Sequence, residues 1–192
     1  MLDYGKYKDA RNASWQCILD YKIDKLPVIV TDIVNHSKNM RLIKNSEVNI
    51  LKDKDSGITI YQDKIFNIIF RDTESSKRCR FTIAHELGHI FLGHLLINTP
   101  VYKTFAVRED NESAANVFAR DLLAPACVLH ELHIIRAADI AKLCNISIEA
   151  ATYREKRMHT LEDRNAWYFH PLERKVYKQF ESFINSKKNP PM

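Results

Sequence analysis

The sequence predicts an α+β protein in which helix outweighs sheet. Two short runs rich in β-branched residues, 58–61 and 65–70, flank a polar tripeptide, which is the pattern of a β-hairpin. Long stretches with apolar residues at helical spacing lie on both sides of them. At 192 residues with 45% hydrophobic content, the chain is long enough to bury a core as one compact domain, or as one domain with a small appendage.

The first half of the chain mixes short helices with strands. A helix is expected over residues 7–21, where apolar side chains recur on or near one face. Thr31 is a suitable cap for a short helix that ends near Lys38. Residues 40–44 suit a strand, and the hairpin of residues 58–70 follows after a polar turn. The small sheet is therefore expected in this half.

The second half is predicted to be mainly helical. A helix from about Ser75 to Leu92 has capping residues before it and Gly93 after it, which are the usual start and stop signals. The further predicted elements are, in chain order, helices over 111–123, 137–144 and 147–158, a short strand at 167–169 and a helix over 172–184.

The helix predicted over residues 75–92 carries the sequence HELGH at residues 85–89. Residues four apart lie on one face of a helix, so His85 and His89 can converge on one metal ion. Glu86 lies beside this pair, where it can reach a water molecule at the metal without being a ligand. This is the geometry of the His-Glu-x-x-His pattern of zinc peptidases. The pattern predicts Zn²⁺ as the cofactor and Glu86 as the catalytic residue.

A catalytic zinc takes three protein ligands and keeps one position open. The metzincin layout requires a glycine three residues and a histidine six residues after the second histidine of the motif. Gly93 and His94 are each one residue out of place, so this layout is rejected. The other common third ligand is a glutamate from a following helix, and Glu112 fits it. Glu109 is the competing choice but is expected to precede the helix, and Asp121 lies too far along.

Further groups are candidates for supporting roles. Asn116 lies one turn beyond the candidate glutamate and is placed to orient a ligand histidine. A polar side chain that binds the substrate carbonyl would help catalysis, and Tyr102, Arg154 and His159 are open candidates for it. The substrate of such enzymes usually lies extended along an edge strand, and the hairpin of residues 58–70 is the expected edge.

Residues 139–158 have the pattern of a helix-turn-helix, a motif that DNA-binding proteins use to place their second helix in the major groove. We favour two packed structural helices, because no phosphate-binding arm accompanies them. In the DNA-binding interpretation, the side chains towards DNA would be Thr152, Arg154, Lys156 and Arg157.

Composition and the chain ends limit the remaining possibilities. The net charge is +5, but the positive charges are scattered among 24 acidic residues, which gives nucleic-acid binding only weak support. The four cysteines form no Cys-x-x-Cys pair and are expected to be reduced. The first residues lack the apolar core of a signal peptide, and no apolar run is long enough for a membrane span. We therefore expect a cytoplasmic protein.

The sequence HELGHIFLGH at residues 85–94, followed by ESAANVFA at 112–119 and LLAP at 122–125, resembles the ImmA/IrrE family of zinc metallopeptidases. The resemblance covers most of the chain. The family often has Glu where Ala114 stands and Met where Ala124 stands, and neither is a ligand position. Softer similarity extends to residues 11–15, 26–28 and 139–157.

The resemblance implies a zincin-like fold in which His85, His89 and Glu112 are the zinc ligands and Glu86 is the catalytic glutamate. It also implies an anti-repressor endopeptidase of phage or mobile-element type, whose protein substrate is a helix-turn-helix repressor of a mobile element or of stress genes. The alternative is a DNA- or protein-binding regulator in which the zinc site is structural or catalytically silent. The sequence leaves the oligomeric state open.

The predicted organisation has three parts. Residues 1–128 form the metallopeptidase core, and residues 129–185 form a helical C-terminal part packed on that core, with the helix-turn-helix-like segment. Residues 186–192 are expected to be a flexible tail, because they are polar and contain two prolines.

Overall fold

The structure, a computed structural model, describes residues 7–95 and 109–189. Within these ranges the protein is mixed α+β with more helix than sheet, as predicted. The described residues divide into two compact units, the first from residues 7–13, 29–95 and 109–119 and the second from residues 14–28 and 120–189. The predicted division at residue 128 and the flexible tail stay predictions. No helix of the described ranges combines the length and the apolar character needed to cross a membrane.

The first unit contains a three-stranded sheet with strand order β1-β3-β2. Strand β1 (Met40–Lys44) pairs in parallel with β3 (Ile65–Phe70), and β2 (Gly57–Gln62) pairs with β3 antiparallel. Asp63 and Lys64 form the two-residue hairpin turn, with φ values of 52° and 65° as in a type I′ turn. The predicted strand and hairpin are confirmed. Within the described ranges, β3 is the central strand of this sheet.

Three helices precede β2. Helix α1 (Lys8–Asp20) lies where it was predicted. Helix α2 (Val30–Asn35) begins before Thr31, and its cap residue Ile29 makes no side-chain cap bond, so the predicted cap is wrong. Thr31 lies inside the first turn, where its backbone is already helical. Helix α3 (Asn45–Val48) was not predicted, because a single turn leaves no periodic apolar pattern in the sequence.

Two long helices complete the first unit and contribute the candidate site. Helix α4 (Ser76–Phe91) begins after Ser75, whose hydroxyl accepts a hydrogen bond from the N–H of Arg78 at 3.3 Å. This confirms the predicted start of the motif helix. Helix α5 (Glu109–Leu123) begins two residues earlier than predicted. The expectation that Glu109 precedes the helix is therefore wrong.

Helices α4 and α5 approach each other closely at Gly88. A Cβ atom on this residue would lie 3.0 Å from the Cα of Ala115 and 3.1 Å from its carbonyl oxygen. Both of these are backbone atoms, which cannot rotate away. Glycine at this position therefore permits an interhelical distance that a larger residue would prevent. Both Gly88 and Ala115 are buried, and Gly88 is the glycine of the HELGH sequence.

The second unit is helical within the described residues. Helix α6 (Ala126–Glu131) was not predicted. Helix α8 (Ile148–Arg164) continues beyond its predicted end to Asn165, which adopts the left-handed conformation that ends the helix. The strand predicted at 167–169 is wrong: these residues form a turn, and Tyr168 has a φ of 63°, outside the β region. The unit also contains α7 (Ala137–Cys144), α9 (Pro171–Lys188) and the last residues of α1 and α5.

The structure corrects one residue of the DNA-binding interpretation. Arg154 is only 3% exposed. Its guanidinium donates to the carboxylate of Asp121 and to the carbonyl of Arg120, both at 2.6 Å. Arg154 therefore faces the interior, where it is unavailable to DNA or to a substrate carbonyl. Asp121, which the sequence placed too far along to be a ligand, is engaged in this ion pair. Lys156, two residues later, is exposed.

Replacement of Arg154 tests this ion pair. We expect Arg154→Met to lower the free energy of unfolding by about 3–5 kcal/mol, because it leaves the Asp121 carboxylate buried without a partner. Urea unfolding followed by circular dichroism measures the change. Lys156→Met on the same helix is the matched control and should have little effect. The double variant Arg154→Met/Asp121→Leu should recover much of the loss, and equal losses in the single and double variants would contradict this account.

Candidate metal centre

The first unit brings the three predicted ligands into one cluster. The Nε2 atoms of His85 and His89, one turn apart on α4, are 3.0 Å from each other. The carboxylate of Glu112 on α5 places Oε2 3.1 Å from Nε2 of His85 and Oε1 3.4 Å from Nε2 of His89. This is the group of His, Cys, Asp and Glu side chains among the described residues that is close enough to hold a metal ion.

The separations in this cluster fit a tetrahedral metal ion. Zinc binds imidazole nitrogen and carboxylate oxygen at about 2.0–2.2 Å, so two such ligands of a tetrahedral ion lie roughly 3.3 Å apart. The three separations of 3.0, 3.1 and 3.4 Å are close to this value. Two imidazoles and one carboxylate are also a donor set of catalytic zinc, which leaves the fourth position open. The residues present therefore fit the predicted group.

The histidines and carboxylates of the site change one another's pKa values. Hydrogen bonds with His85 and His89 lower the pKa of Glu112 far below its usual range, so the carboxylate is ionised at neutral pH. Burial alone would lower the pKa of His85, but the hydrogen bond with Glu112 and the charge of Glu86 outweigh burial and raise it. The carboxylates thus create a negative potential, which attracts a cation to this position.

Asn116 lies behind His85, on the side away from the cluster. Its side-chain Oδ1 is 3.0 Å from Nδ1 of His85. Since a carbonyl oxygen can only accept, Nδ1 of His85 carries the proton of this hydrogen bond. The Nε2 atom is then the one that faces the cluster and can bind a metal ion. This is the position that the sequence predicted for Asn116.

Glu86 is buried, with 4% of its surface exposed, and it lies beside the cluster rather than within it. Its Oε2 accepts a hydrogen bond from the hydroxyl of Thr59 at 2.7 Å. Burial raises the pKa of Glu86, and the neighbouring His85 and the Thr59 hydrogen bond offset part of the rise. A carboxylate whose pKa is raised towards neutral is suited to accept and return a proton.

Thr59 is a site residue that sequence reasoning missed. It is fully buried on β2, between Ile58 and Ile60. A hydroxyl at a buried strand position needs a hydrogen-bond partner, and this requirement was the available indication. The sequence alone does not say which partner it finds, because Glu86 is 27 residues away along the chain.

The site opens into a cleft of about 380 Å³. Its lining residues come from α4, from α5 and from the segment 54–58, which includes the start of β2. A Cβ on Gly57 would lie 2.3 Å from Cγ2 of Thr82, so glycine allows the strand to pack directly against the helix. Of the motif and its partners, the residues that line the cleft are His85, Glu86, His89, Glu112 and Asn116.

His94 was rejected as a ligand by its spacing, and it is not a member of the three-residue cluster. Its ring nevertheless lies against the cluster, with Nδ1 at 3.0 Å from Nδ1 of His89. Burial and the neighbouring His89 lower the pKa of His94 to about 4, which makes its ring neutral at pH 7. Helical projection missed this contact, because His94 lies beyond the end of α4.

Three further candidates for a supporting role were named from the sequence. Tyr102 lies outside the described residues, and so does the side chain of Glu109, the competing ligand. His159 is exposed on α8 in the second unit. Arg154 is held by its buried ion pair. Its guanidinium is therefore not available to a substrate carbonyl.

A helix that carries two metal-facing histidines and an adjacent glutamate, with a carboxylate from the next helix as the third ligand, defines the zincin-like class of metallopeptidases. The chain belongs to peptidase family M78: the family's IrrE N-terminal-like domain matches residues 45–156, more than half of the sequence. This confirms the resemblance to the ImmA/IrrE family and the predicted fold class. Family and cluster together support a metallopeptidase-type function with a metal ion. No curated protein matches the sequence significantly.

The contact between α4 and α5 yields a test of the site's geometry. We expect Gly88→Ala to weaken zinc binding about tenfold or more, because the added methyl group meets the backbone of Ala115 and displaces Glu112 and Asn116 from His85. Competition with a chromophoric chelator measures the affinity.

Ser76→Ala, at an exposed position in the first turn of the same helix, is the control and should bind zinc like the parent. Alanine has a helix propensity about 1 kcal/mol better than glycine, so a loss of affinity in Gly88→Ala cannot come from a weaker helix. Unchanged affinity would contradict the requirement for glycine here.

Proposed function

We propose that the protein is a zinc-dependent endopeptidase in which His85, His89 and Glu112 bind the metal and Glu86 is the catalytic residue. The position of Glu86 carries this proposal. It is a buried carboxylate beside the cluster, it faces the same cleft, and it is held by Thr59 rather than drawn into the ligand set. A structural metal site has no use for an additional buried carboxylate at this position.

The side chains suggest how the reaction proceeds. Bound zinc would supply a Lewis acid that polarises the peptide carbonyl and lowers the pKa of water to about 7. Glu86 accepts a proton from the attacking water and then donates it to the nitrogen of the leaving amine. The hydroxyl of Thr59 fixes one carboxylate oxygen, which keeps the direction of the carboxyl group constant through both transfers. Asn116 keeps His85 in the tautomer that presents Nε2.

The cleft suits an extended peptide. Residues 54–58 line the cleft, and they include the first residues of β2. An extended substrate that lies along this segment would be held by backbone hydrogen bonds, which recognise the chain without requiring one particular sequence. Such binding brings a scissile bond past Glu86 and the cluster.

The proposed substrate is a regulatory protein such as a helix-turn-helix repressor, whose cleavage would release the genes of a mobile element or of a stress response. The support for this substrate is the family resemblance, as it is for a phage-type anti-repressor role in the cytoplasm. The alternative is a regulator with a structural or silent zinc site. The buried Glu86 counts against that alternative, and the buried Arg154 weakens its DNA-binding form.

Glu86→Gln separates catalysis from metal binding. We expect it to lower the cleavage rate about 10²–10⁴-fold, because an amide cannot accept the proton, while one zinc per chain is retained. The same variant should hold the substrate that the parent cleaves. Proteins that a tagged Glu86→Gln chain captures from the source cell are identified by mass spectrometry, and their cleavage by the parent is then timed. Zinc content is measured by elemental analysis.

Glu47→Gln is the matched control, since it makes the same chemical change at an exposed residue of α3. It should cleave at the parent rate. A Glu86→Gln protein that cleaves as fast as the parent would show the mechanism to be wrong, whereas a parent that binds zinc but cleaves nothing would favour the regulator.

Glu112→Ala tests the third ligand. Loss of one of three protein ligands should weaken zinc binding on the order of 100-fold or more, above the 10–100-fold typical of losing an outer hydrogen-bond partner. Chelator competition measures this affinity. Asp110→Ala removes an exposed carboxylate two residues earlier on the same helix and is the control. If Glu112→Ala binds zinc like the parent, the third ligand lies elsewhere, with Glu109 as the first alternative.

A further inference from the structure

The end of helix α4 turns the chain back onto the metal-facing residues. The N–H of His94 donates to the carbonyl of His89 at 3.0 Å, and the N–H of Gly93 donates to the carbonyl of Ile90 at 3.1 Å. These two bonds, with a φ of +70° at Gly93, form a Schellman cap. The cap places the residue after the glycine over the last turns of the helix. His94 is therefore brought back over α4 instead of continuing away from it.

A Schellman cap commonly adds a side-chain contact between the residue after its glycine and the residue five positions earlier. This contact is usually apolar. Here the two residues are His94 and His89, and the Nδ1 atoms of their rings are 3.0 Å apart. The ring planes meet at 67°, with centroids 5.1 Å apart, so one ring presents its edge to the other. Two imidazoles at this distance share one proton, which one ring donates and the other accepts.

The other nitrogen of His89 sets the direction of this hydrogen bond. Nε2 of His89 faces His85 at 3.0 Å and the carboxylate of Glu112 at 3.4 Å. Binding of a metal by Nε2 requires that this atom carry no proton, so the proton of the neutral ring lies on Nδ1. Nδ1 of His89 then donates, and Nδ1 of His94 accepts. Asn116 performs the same role for His85, from the opposite helix.

The burial of His89 makes this acceptor important. Its side chain has no exposed surface, whereas the side chain of His85 is 16% exposed. If His94 were replaced by an apolar side chain, the Nδ1 N–H of His89 would lose the acceptor that the structure gives it and would lie against hydrocarbon. A buried donor without a partner costs more than a hydrogen bond contributes. The ring could avoid this only by rotating or by moving its proton to Nε2, and either change removes a metal ligand.

We propose that His94 is a positioning residue, which accepts the Nδ1 proton of His89 and thereby holds that ring in the tautomer and orientation that bind the metal. This inference rests on the proposed function, in which His89 is a ligand. It adds to that function a role for the cap. The turn at Gly93, which ends the helix, also places His94 against His89.

Zinc affinity of two variants tests the hydrogen bond itself. His94→Leu removes the acceptor at similar size, and His94→Asn keeps one, because the Asn Oδ1 is separated from Cα by the same number of bonds as the His Nδ1. By chelator competition, we expect His94→Leu to bind zinc about 10–100-fold more weakly than the parent. We expect His94→Asn to remain within a few-fold of it. His159→Leu, an exposed histidine on α8, should match the parent.

A second pair of variants tests the cap without touching either histidine. Gly93 has no atom within 4 Å of the position a Cβ would take, so a side chain there acts through the backbone alone. Asparagine tolerates a φ of +70°, whereas a β-branched residue does not. We therefore expect Gly93→Val to weaken zinc binding and Gly93→Asn to keep most of it. Circular dichroism and urea unfolding of the metal-free proteins check that each variant is folded.

The outcomes distinguish the two levels of the proposal. If the parent binds no zinc, the proposed function and this inference both fail. If the parent binds zinc and His94→Leu binds it equally well, the inference alone is overturned. Equal weakening in His94→Leu and His94→Asn would also overturn it, because the volume of the ring and not its acceptor would then be what matters.

Discussion

The close approach of α4 and α5 at Gly88 and Ala115 is the constraint on which the rest of the site depends. Glu112 lies three residues before Ala115 and Asn116 one residue after it, so the contact fixes both of them against His85. Sliding α5 by one turn, about 5.4 Å, would bring an amide to where the carboxylate stands. The bare backbone at Gly88 therefore allows the helix separation at which these donor atoms meet.

Each of the three functional side chains of α4 has a hydrogen-bond partner on the side away from the cleft or the cluster. His85 has Asn116 on its far side, His89 has His94, and Glu86 has Thr59. Each supporting residue comes from a different piece of structure: the next helix, the helix cap and strand β2. A buried polar group that lacks its partner is costly, so these contacts restrict each ring and carboxylate to one orientation. In the proposed enzyme, this preorganisation precedes the binding of metal and substrate.

The sequence predicts those parts of the site that depend on local geometry. His85, Glu86 and His89 share one helix, and the pitch of a helix is enough to relate them. Glu112 is predicted as the third ligand because it lies near the start of the next predicted helix. Thr59 and His94 were not found, because the first depends on a strand packing against a helix and the second on a left-handed residue that ends the helical repeat. Arg154 looked like a surface cation, since only the fold brings Asp121 next to it. The Thr31 cap and the strand at 167–169 failed because short segments carry little periodic information.

The hairpin turn at the far end of β2 has a consequence for the chemistry. Asp63 and Lys64 close the hairpin with two residues of positive φ, and this turn fixes the pairing of β2 with β3 residue by residue. Strand side chains alternate between two faces, so a shift of one residue would exchange Thr59 for Ile58 or Ile60. The carboxylate of Glu86 would then meet a hydrocarbon instead of a hydroxyl. Asp63 and Lys64 lie at the surface, away from the reaction. By fixing the strand register they nevertheless determine that a hydroxyl contacts the proposed base, Glu86.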